Sequence, residues 1–107
     1  MALFGRKRSK LFRHGDVLLQ AAPSLPEDAQ GVPGHVLVRG ELSGHAHRLE
    51  NPAAGALYRT KLNLWLEVHI ATRIVHEEHA PIPLSPGIYK VWQQREYSPR
   101  EIRTVVD

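Results

Sequence analysis

The sequence predicts an all-β domain, a small and mostly antiparallel β-barrel or sandwich, with a short C-terminal helix. Three observations carry that expectation. Apolar and polar residues alternate from Leu62 to Ile70, the period of a strand with one buried face. Roughly six to eight short apolar runs can be counted along the chain. The eight Gly and eight Pro fall between those runs, which favours strands and turns over long helices.

Taken in order, residues 1–13 read as a flexible basic arm and residues 14–107 as one domain. The domain begins at His14-Gly15-Asp16 and continues into Val17-Leu18-Leu19-Gln20, a run that suits a buried strand. Residues 22–34 hold three prolines and two glycines and read as a loop. His35 to Leu42 is the next strand, with Val36, Val38, Gly40 and Leu42 on one parity. Ser43-Gly44 is a tight turn into a strand from His45 to Leu49. After the Asn51–Gly55 turn come a short strand at Leu57–Thr60 and the alternating strand from Leu62 to Ile70. Thr72 to Val75 continues that strand or starts its neighbour. His76-Glu77-Glu78-His79 is too polar for a core and belongs to a strand end or loop. Ser85-Pro86-Gly87 turns the chain into the last strand, Ile88 to Tyr97. Ser98-Pro99-Arg100-Glu101 is a helix start, with Ser at the cap, Pro at the first position and Glu three residues after the cap.

Composition excludes several classes. The chain has no cysteine, so thiolate zinc sites, disulfides and cysteine nucleophiles are absent. No apolar run approaches the roughly 18 residues of a membrane helix, and no apolar segment follows the N-terminal basic residues, so the expected location is cytoplasmic. The net charge of +3 is unevenly placed. Arg6, Lys7, Arg8, Lys10 and Arg13 make the arm basic, whereas the body carries more acids than bases. Such an arm can contact nucleic acid through phosphate, or it can remain solvated. No Gly-rich phosphate loop, nucleophile elbow or Ser-His-Asp set is visible, which leaves an enzymatic role open.

The chemistry concentrates in histidine. Six of the seven lie between His35 and His79. His45 and His47 stand two apart on a strand, so both imidazoles face one side. A metal needs three or four ligands, and Glu50, His76 and His79 are the candidates to complete the set. The implied cofactor is a divalent ion of Zn, Ni, Mn or Fe. His76-Glu77-Glu78-His79 does not fit the metalloprotease helix, which needs histidines four apart.

The spacing Gly40-x4-His45-x-His47-x2-Glu50 resembles the first motif of the cupins, small β-barrels whose His-x-His and later Glu hold such metals. It departs from that motif in the gap before His45 and in the early Glu. Ser85-Pro86-Gly87 has no His behind it, so His76 or His79 would serve in place of the second-motif ligand. The segments Gly15–Leu19, Gly44–Leu49, His76–His79 and Gln94–Tyr97 together resemble a group of small bacterial proteins of unassigned function. That likeness implies a bacterial origin and a true domain.

Two functions are therefore expected. One is a cupin-like metal-binding β-barrel using His45 and His47. The other is a non-enzymatic self-assembling or partner-docking module whose basic arm contacts nucleic acid or another acidic partner. Apolar strand faces and uncovered edges predict a homo-oligomer, a dimer above all.

Overall fold

The computed structural model describes residues 10–40 and 42–94. Ten strands run through these residues: β1 (Leu11–His14), β2 (Val17–Ala22), β3 (Gln30–Val32), β4 (Val36–Arg39), β5 (Ala46–Leu49), β6 (Gly55–Arg59), β7 (Leu64–Val68), β8 (Thr72–Val75), β9 (Ile82–Leu84) and β10 (Gly87–Gln93). A single 3-10 turn, Pro52–Ala54, leads into β6, and the Asn51 side chain caps it by accepting from the Ala53 amide.

The strands form two sheets. One has six strands in the order β1-β2-β10-β7-β6-β3, and the other has four in the order β9-β8-β5-β4. Every neighbouring pair is antiparallel. Each sheet keeps two edge strands, so the described residues form a sandwich of open sheets and not the closed barrel that was the other expectation. One core lies between the sheets. The larger sheet contributes Val17, Leu19, Leu57, Leu66, Val68, Tyr89 and Val91, and the smaller one Leu37, Leu49, Ile74 and Leu84. The Tyr89 hydroxyl donates to the Ser85 carbonyl at 2.7 Å, which satisfies the one polar atom this side chain brings inward.

The expected alternation holds where it was clearest. Leu64, Leu66 and Val68 are buried while Trp65 and Glu67 are half-buried. The strand is shorter than its pattern, however, because Leu62 and Ile70 lie beyond the pairing and are exposed. Thr72–Val75 crosses to the other sheet, between β5 and β9, and does not extend β7 or pair with it.

Three further expectations change, and one strand was not foreseen. The chain enters the sheet at Leu11, inside the expected arm, because Leu11–His14 pairs with Val17–Gln20 and Phe12 meets Tyr89 edge-on at 6.0 Å. The proline-rich loop contains a short strand, Gln30–Val32, paired with β6. In β4 it is Leu37 that is buried, since a bulge between Val36 and Val38 breaks the simple parity, and Leu42 is fully exposed because the strand ends at Arg39, short of the expected Leu42. Ile82–Leu84 is a strand although it contains Pro83; it forms the edge of its sheet, where a missing amide is tolerated. The expected helix from Ser98 lies outside the described residues. No helix among the described residues is long and apolar enough to cross a membrane.

Candidate metal centre

Three pieces of chain converge at one end of the sandwich: the β1–β2 turn, the start of β5, and the β8–β9 connection. Gly15 and Asp16 form a two-residue hairpin turn between His14 and Val17. Gly15 has φ +63°, the left-handed value that the first position of a type II′ hairpin requires. The end of β10 ties this turn down: the Gln94 amide donates to the Asp16 carbonyl at 2.7 Å. On the other sheet Glu77 anchors the β8–β9 connection to β5. It accepts from the Ala46 amide at 3.1 Å and from Arg48 Nη1 at 3.2 Å.

Around these anchors five of the seven histidines come together. The rings of His14, His47, His76 and His79 lie 4.3–6.4 Å apart, and His45 stands 5.5 Å from His76. Ligating atoms of His47, His76 and His79 fall within 4.8 Å of one another, and so do those of His45, His76 and Glu77. The cluster opens into a cleft of about 770 Å³ whose rim includes Arg13, Ser43, Gln93 and Gln94.

For neutral rings the hydrogen bonds fix the tautomers. His14 Nε2 lies 3.0 Å from the Ala80 carbonyl, which can only accept, so this nitrogen carries hydrogen. In neutral His14 the Nδ1 is then bare, and it faces His47 Nδ1 at 2.9 Å. His47 Nδ1 must therefore donate, which leaves His47 Nε2 with its lone pair. That nitrogen lies 3.4 Å from Asp16 Oδ1. Two bare acceptors oppose each other there. Two donors held at ~2.1 Å by a tetrahedral ion stand ~3.4 Å apart. The separation is that of a ligand pair around a cation. Gln93 Nε2 donates to Asp16 Oδ2 at 2.6 Å, which turns the other carboxylate oxygen toward His47.

Electrostatics keep these groups in ligating form. Burial lowers the His47 pKa to about 4, helped by the neighbouring His76 and His14 and opposed by Asp16. Burial also lowers that of His14. The hydrogen bond from Gln93 holds Asp16 below the usual carboxylate range. The Ala46 amide is the main cause that brings Glu77 down to about 2. His76 differs from His47. Its Nδ1 accepts from the Glu78 amide at 3.0 Å, so in the metal-free molecule its lone pair is engaged.

A pH dependence follows for the metal-free protein. His47 has a lower pKa folded than unfolded, so between the two values the unfolded chain binds the extra proton. Stability is greatest above about 6.5 and falls as pH drops toward 4, by on the order of 3 kcal/mol from His47. Glu77 adds a separate loss between 4.5 and about 2, where its carboxylate protonates. Chemical denaturation at pH 7.5, 5.5 and 4.5 in a chelating buffer measures the first window. A flat profile across it would show that His47 is not held neutral by the fold.

Gly15 offers a second test. A Cβ at this position would lie 2.6 Å from His79 Nε2. Gly15→Ala therefore pushes the exposed His79 ring out of the cluster while leaving the core untouched. The expected result is a loss of metal affinity comparable to His79→Ala, with unfolding free energy reduced by about 1–2 kcal/mol for the left-handed φ.

The predicted residues are partly brought together. His47, His76 and His79 fall in one group, whereas His45 lies just before β5 and groups with His76 and Glu77, so the expected pairing of His45 and His47 on one strand is not what the structure shows. Glu50 does not join them: it stands three positions from His47, on the other side of β5, and its carboxylate grips Arg73 through two hydrogen bonds of 2.7 and 2.5 Å. His69, too, is elsewhere, 3.3 Å from Glu67 on β7. Sequence reasoning missed His14, Asp16 and Glu77. The first two flank the turn glycine, and the alternation of a His and an Asp about Gly15 is the only local mark they leave.

A family model described as a domain of unknown function (DUF8820) matches residues 13–94. No curated protein matches this chain, and no solved structure does.

Proposed function

The chain belongs to the DUF8820 family, and for this member we propose that it binds a divalent transition-metal ion between its two sheets. His47, His76 and His79 supply nitrogen ligands, Asp16 supplies a carboxylate oxygen, and His14 orients His47 from behind. One observation carries this reading: the bare Nε2 of His47 opposes Asp16 Oδ1 at ligand-pair distance. Without a cation the contact is repulsive. With one it becomes two coordinate bonds.

The surroundings support the same reading. A ligating histidine ordinarily passes its second N–H to an oriented acceptor, which fixes the tautomer. Here that acceptor is His14, itself locked by the Ala80 carbonyl. Imidazole nitrogens with one carboxylate and no thiolate suit Zn, Fe, Mn or Ni. The donor set of three histidines and a carboxylate is of the cupin type, but the carboxylate comes from the β1–β2 turn and not from Glu50. The open cleft leaves room for water or a small ligand beside the ion.

The experiment is elemental analysis of protein purified without a histidine tag, followed by thermal unfolding with added Zn, Ni, Mn or Fe. About one ion per chain is expected. Free ion at roughly 100 times Kd should add about 2.7 kcal/mol and raise Tm by about 10 °C or more, reversibly with chelator. A Tm indifferent to all four metals would sink the proposal.

A further inference from the structure

Two ligand sets meet at one imidazole. His76 belongs to the set with His47 and His79 and also to the set with His45 and Glu77. A neutral imidazole has a single bare nitrogen, so His76 ligates one ion at a time. Through His76, then, the two sets are alternatives for one ion.

They differ in exposure and charge. The inner set includes His47, which is 4% exposed, and is dominated by nitrogen. The outer set is open to solvent: the His45 side chain is 31% exposed and Glu77 lies on the surface. A second carboxylate, Glu78 Oε2, stands 3.4 Å from His45 Nδ1. The outer set thus has the anionic oxygens that attract a hydrated cation, and the inner set has the buried nitrogen that retains it. Between them the His76 ring is 5.5 Å from His45 and 4.3 Å from His47. It sits on the surface connection after β8, tethered by the Glu78 amide, and either mode of ligation gives up that hydrogen bond.

We infer that a divalent metal ion is captured first by His45, His76 and Glu77 and is then handed by His76 to His47, His79 and Asp16. This rests on the metal reading above. The outer set is an entry station and His45 a positioning residue for uptake, absent from the resting coordination.

Stopped-flow uptake of Zn2+ from a chromogenic chelator tests the hand-off, using the wild type, His45→Ala and Glu78→Gln. Association should slow by about tenfold in His45→Ala and by a smaller factor in Glu78→Gln. Dissociation should slow by the same factor, so that equilibrium affinity is unchanged. Three results would overturn the inference: unchanged association in both variants, affinity that falls together with the rate, or two ions bound per wild-type chain. Wild-type protein that takes up none of Zn2+, Ni2+, Mn2+ and Fe2+ at equilibrium would instead refute the metal site itself, and the hand-off with it. Far-UV circular dichroism verifies that both variants are folded.

Discussion

His47→Ala is expected to abolish metal binding, and by more than the ~10–100-fold that loss of an outer-shell partner costs. The alanine removes the bare nitrogen that opposes Asp16 Oδ1, and no neighbouring ring can replace it. His14 cannot swing in, because its Nε2 is committed to the Ala80 carbonyl on the far side. The variant also leaves His14 Nδ1 buried without a donor, which should lower stability by about 1–3 kcal/mol. Competition titration against a chelator reads the affinity, and denaturant unfolding in metal-free buffer reads the stability. His69→Ala is the control. It removes an exposed histidine that pairs with Glu67 on β7, and it should leave the affinity unchanged. Equal affinities for His47→Ala and wild type would remove the centre from the protein.

Leu66→Ala should have the largest effect on the fold itself. Leu66 is fully buried in β7, paired with Leu57 on one side and Tyr89 on the other. Truncation leaves a cavity between the sheets, and a buried Leu→Ala change costs about 2–5 kcal/mol. Against a total of about 5–15 kcal/mol, this removes a large part of the stability. Leu62→Ala deletes the same atoms four residues earlier, at a site 88% exposed. There the change should stay within about 0.5 kcal/mol. Urea denaturation of the two variants separates burial from hydrophobicity. Similar midpoints would contradict the packing described here.

Much of the fold could be read locally. Strand β7 was legible because its two faces meet different solvents, core on one side and water on the other, and the residues alternate accordingly. The turns at Gly44 and Gly87 were legible because each places glycine at positive φ. Closure could not be read this way. Alternation marks a strand as half-buried but does not say which sheet it joins, and Thr72–Val75 went to the opposite one. Leu11–His14 was hidden by its basic neighbours, since pairing with β2 and the contact of Phe12 with Tyr89 depend on residues far away in the chain.

For the proposed metal centre the division falls along the same line. The sequence by itself determined an all-β chain without thiols and rich in histidine. It also marked His47, His76 and His79 as candidate ligands. Only the tertiary structure decided that His14 and Asp16 belong with them and Glu50 does not. The physical reason is that the centre spans the two sheets. His47 comes from β5 and its orienting partner from β1, 33 positions apart, joined by a 2.9 Å hydrogen bond across the end of the sandwich. Glu50, only three positions from His47, faces the other way and is held by Arg73. Nearness in sequence set the strand, and the stacking of the two sheets set the cluster.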